Sequence, residues 1–144
     1  MHPEHLQNVR PVWVLTGWLV AVAATSLVVL ALIGFRIMEG DIGADALWGA
    51  AAVAVGFGVG GFFIGFRSID APILHAIGVG ITSLLAWFLL HVLVDLLFAL
   101  PEWTALTPGL AAAIMFEQMA AAVLGAWIGH RIAIRGGPEP EEPL

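Results

Sequence analysis

A chain of 144 residues that is 60% hydrophobic and only 11% charged is too apolar for a soluble domain, because so small a fold has nowhere to hide that surface. The absence of cysteine excludes disulfides, iron–sulfur clusters and thiolate metal sites, and the absence of lysine excludes Schiff-base and Walker-type lysine chemistry. A formal net charge of −6 argues against nucleic acid as a partner.

Residues 1–10, with His2, Glu4, His5 and Arg10, read as a short interfacial segment. The stretch from Pro11 to Phe35 then carries no charge. At 1.5 Å rise per residue, about 25 residues cross a hydrocarbon core of roughly 30 Å with some tilt. This stretch is longer than the apolar region of a cleavable signal, so it is expected to be a retained helix. Pro11 suits a first helical turn, and Gly34 marks the end.

Residues 36–45 form an acidic connector with Gly40 and Gly43, and Asp45 is placed to cap a second helix over about 45–66. Ser68 or Asp70 can cap a third helix over about 71–100, with Pro72 in its first turn. After a connector at 101–107, Thr107 and Pro108 make a good start for a fourth helix over about 108–131. Residues 132–144, rich in glycine, proline and glutamate, are expected to be a disordered acidic tail. The segments are too long and too uniformly apolar for barrel strands. The fold class expected is therefore all-α, a bundle of four transmembrane helices occupying 11–131.

Orientation follows from the arginines. In a four-span arrangement Arg10, Arg67, Arg131 and Arg135 share one side, and Arg36 stands on the other beside Glu39, Asp41, Asp45 and Glu102. The excess of positive charge places both termini and the middle loop in the cytoplasm. Trp13 and Trp127 then fall near the inner interface, and Trp48 and Trp103 near the outer one.

The second helix ends Gly61-Phe-Phe-Ile-Gly65-Phe-Arg67, and the fourth ends Gly125-Ala-Trp-Ile-Gly129-His-Arg131. Both read G-x-x-I-G-x-R, which points either to two duplicated helical hairpins or to coincidence in a glycine- and alanine-rich chain. Small residues spaced by four let a neighbouring backbone approach closely. Gly49, Gly56 and Gly60 lie within about 40° of one another at 100° per residue, so a packed stripe is expected there as well as at Gly61, Gly65, Gly125 and Gly129.

The run from Gly60 through Arg67, followed by a proline-containing loop and His75-Ala-Ile-Gly78, resembles families of small bacterial four-helix membrane proteins. The resemblance covers about the middle third of the chain. It implies a compact four-helix bundle and carries no assigned activity.

Three ionisable residues lie inside the apolar spans: His91, Asp95 and Glu117. A charged group at mid-membrane costs on the order of 3 kcal/mol on insertion scales, so such residues face protein or water and have partners. Counted inward from the helix ends, His91 and Glu117 fall at one depth, about 14 Å below the outer surface. With Asp95 one turn further out, they are expected to form one polar cluster. That cluster would serve as a proton relay or ligand site, or as a hydrogen-bonded group fixing helix register.

His75 and His130 lie near the cytoplasmic end, where opposed histidines can hold haem. Helical phase turns both away from the His91/Glu117 interface, so no cofactor is expected and haem is the weakest reading. No nucleophile–base pattern, metal-ligand pair at helical spacing or phosphate loop is visible, so an enzyme is not expected. The leading expectation is a non-enzymatic membrane subunit, acting as an accessory or assembly component of a larger complex or as a homo-oligomer. Its partners would be the lipid bilayer and other membrane subunits or itself, in a bacterial plasma membrane. The alternative is a small transporter or proton conductor using His91, Asp95 and Glu117.

Overall fold

The computed structural model describes residues 9–68, 70–98 and 108–135, with the backbone alone for Asp95, Phe98 and Pro108. Those residues form α1 (Pro11–Gly34), α2 (Ile42–Arg67), α3 (Pro72–Phe98) and α4 (Pro108–Arg135). All four are long and apolar enough to cross a membrane, so the chain is an all-α membrane protein.

The termini of these helices correct the boundaries read from sequence. The second helix begins at Ile42, because Asp41 is the N-cap: its Oδ1 accepts from the Gly43 and Ala44 N–H groups, at 2.9 and 3.1 Å. Asp45 sits inside the first turn, and its Oδ2 accepts from the Gly40 N–H at 2.8 Å. Gly40 supplies a positive φ of 97° there, a conformation open to glycine. At the other extreme α4 runs to Arg135, one turn beyond the boundary at 131, so residues 132–135 are helical and not tail. The rest of the expected tail, 136–144, lies outside the described residues, as do the 1–8 segment and Trp103.

Helix α2 is the hub. It packs most extensively on α4, next on α1, while α3 bridges α4 and α1. Paired contacts give the directions: Gly17 and Gly56 meet Ile64 and Thr25 across an antiparallel α1/α2 pair, whereas Gly61 and Gly65 meet Ala122 and Ala126 across a parallel α2/α4 pair. The near end of the bundle carries Arg10, Ser68, Ala71 and Arg135.

The α2/α4 seam has backbone against backbone. A Cβ added at Gly61 would lie 2.7 Å from the Ala122 Cα, and one at Gly65 the same distance from the Ala126 Cα. From the other side, a Cβ at Gly125 would lie 2.8 Å from the Phe62 nitrogen, and one at Gly129 would lie 2.9 Å from the Phe66 nitrogen. These contacts are reciprocal. Gly61 faces the residue three before Gly125, and Gly125 faces the residue three before Gly61; Gly65 and Gly129 repeat the pattern one turn on. The echo in sequence is thus a local two-fold relation in space, with each G-x-x-x-G docked on the other.

Gly56 and Gly60 take the other face of α2, against Thr25, Ala21 and Gly17 of α1. Gly49 does not extend that stripe, since nothing lies within 4 Å of an added Cβ there. The buried apolar side chains, among them Ala21, Phe57, Ile64, Val79, Ala122 and Ala126, gather behind these seams toward the near end.

A side chain at Gly61 or Gly125 must push two backbones apart, an overpacking that costs at least about 2 kcal/mol. Leucine at either position is therefore expected to lower stability in detergent sharply, while Gly49→Leu stays within about 0.5 kcal/mol of the parent. Equal effects at Gly49 and Gly61 in reversible unfolding would contradict the seam.

Candidate functional site

Four ionisable residues carry the question of a site: His75, His91, Glu117 and His130. A fifth, Asp95, is described only as part of the α3 backbone.

His75 is the one fully buried among them, with no exposed surface. It stands in the first turn of α3, and its Nδ1 is 2.6 Å from the Ala71 carbonyl oxygen, which fixes Nδ1–H as the donor. That leaves the Nε2 lone pair free to accept the backbone N–H of Arg10 at 3.0 Å. The Ser68 hydroxyl lies 3.4 Å from Nδ1. Arg10 is the residue before Pro11 and caps α1 with no side-chain bond of its own. His75 therefore reaches across from α3 and satisfies an amide at the entry to α1, a long-range bond absent from any local pattern in the sequence. Only the neutral Nδ1–H tautomer serves both partners.

This arrangement also bears on haem. An axial histidine must offer a lone pair to the iron, and the Nε2 lone pair of His75 already points at an amide. His130 keeps a buried Nδ1 with no hydrogen-bond partner among the described residues. Beside it, the Arg131 guanidinium lies 4.1 Å from the Trp127 ring centre, a cation–π contact that anchors the arginine along the helix. No group of three or more histidine, aspartate or glutamate side chains is placed to hold a metal among the described residues.

His91 and Glu117 stand at different levels. Gly80 packs on Met119, an added Cβ lying 3.2 Å from the Met119 Cβ, and this sets the antiparallel register of α3 against α4. His91 stands eleven residues beyond Gly80, and Glu117 only two before Met119, toward the same end. At 1.5 Å per residue they are about 13 Å apart along the bundle. The expectation of a single depth is thereby corrected. Counting inward from the outer helix ends assumed that α3 and α4 end level there, whereas α3 runs past the start of α4 by roughly 10 Å.

His91 is half-buried, its ring 4.8 Å from that of Trp87 on the preceding turn. Glu117 is half-buried on α4, one residue before Gln118. Between the two levels lies a cavity of about 160 Å³ between α3 and α4, lined by Ser83, Leu84, Trp87, Ile114, Met115 and Gln118. It is almost wholly apolar, with Ser83 and Gln118 as its polar groups.

Comparison of the chain with family models, curated proteins and solved structures finds no match.

Two outcomes follow. Replacing His75 by phenylalanine keeps the ring volume but removes the acceptor of the part-buried Arg10 amide, a loss of about 1 kcal/mol. Thermal unfolding in detergent should show it, and an unchanged midpoint would mean water serves that amide equally well. For the outer pair, sites more than 7–10 Å apart without shared partners add within about 0.5 kcal/mol. A double-mutant cycle of His91→Leu and Glu117→Leu should therefore close within that margin, and a coupling of 2 kcal/mol would restore the shared cluster.

Proposed function

We propose that this chain is a non-enzymatic integral membrane subunit that works by helix packing, as an accessory or assembly component of a larger membrane complex or of a homo-oligomer. One observation carries the reading: among the described residues, those of α3 that are buried all lie in its first three turns, and its second half is uncovered. Beyond about 20 Å from the near end, large apolar side chains stand exposed on every helix, including Leu30, Leu47, Leu89 and Phe116. On α3 the four consecutive residues Trp87, Phe88, Leu89 and Leu90 are all exposed, and at 100° each they sweep about 300° of the helix. A helix uncovered on so many sides, in a protein whose other half packs backbone on backbone, is suited to receive another subunit.

The glycine seams do not supply that surface, because Gly56, Gly60, Gly61, Gly65, Gly125 and Gly129 are consumed within the chain. The outer half of α3 is the docking face in this reading. The arginine distribution supports placement of both termini in the cytoplasm.

A photo-crosslinking residue at Leu89 or Leu96 should trap one discrete protein, a partner or a second copy, while the same probe at Leu19 on α1 should trap lipid. Lipid adducts alone at all three positions would overturn the subunit reading. Because the chain has no cysteine, single cysteines report orientation cleanly. Positions before Arg10, beside Arg67 and after Arg135 should resist membrane-impermeant thiol reagents in intact cells, and labelling at any of them from outside would reverse the topology.

A further inference from the structure

A groove runs along the outward side of the α2/α4 seam, and neither α1 nor α3 contributes to its lining. Gly58 and Gly125 make its floor, and Val55, Val59, Leu124 and Ile128 make its walls, enclosing about 450 Å³. From Ala54 to Phe62 the lining spans eight residue steps of α2, about 12 Å along the helix axis. The four wall residues are each more than a third exposed, so the groove opens outward to the bilayer.

Its near end is positively charged. Taking 100° per residue, Arg135 lies within about 30° of the groove face of α4, and Arg131 within about 70°. They follow Ile128 by about 4.5 and 10.5 Å along the axis. The reciprocal parallel register sets Arg67 of α2 level with Arg131, so Arg135 overhangs the end of α2. The Arg131 guanidinium rests against Trp127, an indole suited to a membrane interface.

We infer that this groove is a binding site for one anionic glycerophospholipid, an acyl chain lying on Gly58 and Gly125 and the headgroup phosphate held by Arg131 and Arg135. Shape and charge select this occupant. A transmembrane helix docks on a broad surface of small residues, whereas here large aliphatic side chains wall an open groove above a glycine floor. A phosphodiester at the interface accepts the paired donors of a guanidinium, and basic pockets between helices select anionic headgroups in the same way. The inference depends on the chain lying in a membrane and on neither the subunit reading nor the orientation.

Gly58 gives a clean test. An added Cβ there would meet its nearest atom, the Ala121 carbonyl oxygen, at 3.9 Å, an ordinary contact. Gly58→Leu should therefore fill the groove without wedging the seam. The full-length protein in mild detergent would be titrated with phosphatidylglycerol and with phosphatidylcholine of identical chains, and retained lipid counted by native mass spectrometry. Expected are one phosphatidylglycerol per chain and a preference of about tenfold over phosphatidylcholine. R131Q/R135Q should abolish the preference, and Gly58→Leu should lose the bound lipid while keeping the parent's melting temperature. The thermal midpoint of each variant separates a lost site from a lost fold; should Gly58→Leu unfold, Gly58→Val tests the same groove with a smaller side chain. Equal retention of the two lipids by the parent, retention unchanged in R131Q/R135Q, or a cysteine at Val59 that crosslinks two copies through the groove would each overturn the inference.

Discussion

Everything in this bundle hangs on the contact between the α2 and α4 backbones. In lipid there is no hydrophobic force to drive helices together, because the solvent is as apolar as the side chains. What remains is dispersion and close approach, which fall off steeply with distance. Four glycines on two parallel helices bring main-chain atoms to within van der Waals contact over two turns, and they do so reciprocally. The opposite face of α2 takes α1 through Gly56 and Gly60, so a single helix binds two neighbours by its lack of side chains. Helix α3 has no comparable surface. Its anchors are Gly78 against Val14, Gly80 against Met119, and the His75 bond to the start of α1, all in its first three turns. Past them no described residue of α3 is buried.

Much of this was legible in the residues themselves. Four uninterrupted apolar runs bounded by proline, glycine and arginine define four spans with little ambiguity, since lipid admits few alternatives. The G-x-x-I-G-x-R echo marked both halves of the central seam, though nothing in one dimension said that the two copies face each other. What could not be read was register. Depths counted from the outer helix ends assume that neighbours end level there, and that assumption failed for His91 and Glu117 because α3 outruns α4 at that end. Gly80 against Met119 sets the stagger, a contact between residues 39 apart that no periodicity announces. The cap at Asp41 escaped for a smaller reason: Asp41 and Asp45 lie one turn apart, and either carboxylate suits a helix start.

His75 shows the same limit. A histidine four residues after an alanine, at the start of a helix, has a local partner in that alanine's carbonyl. The other ring nitrogen needs a donor from elsewhere, and the donor is a main-chain amide 65 positions away. Backbone groups have no signature in sequence, so side chains that bond to them at long range are found only in three dimensions.

The reciprocity of the central seam has one more consequence, for assembly during synthesis. The first hairpin leaves the insertion machinery with the Gly61/Gly65 face of α2 bare, and its complement arrives only with the last helix. Until then, the α2 or α4 of a neighbouring molecule offers a face of the same kind, and nothing in the seam's chemistry distinguishes self from neighbour. The few residues joining α2 to α3 do so instead, by holding the second hairpin beside the first at a local concentration no separate molecule can match. Lengthening or cutting that connection would turn one fold into an exchange of hairpins between chains, with every contact of the seam preserved.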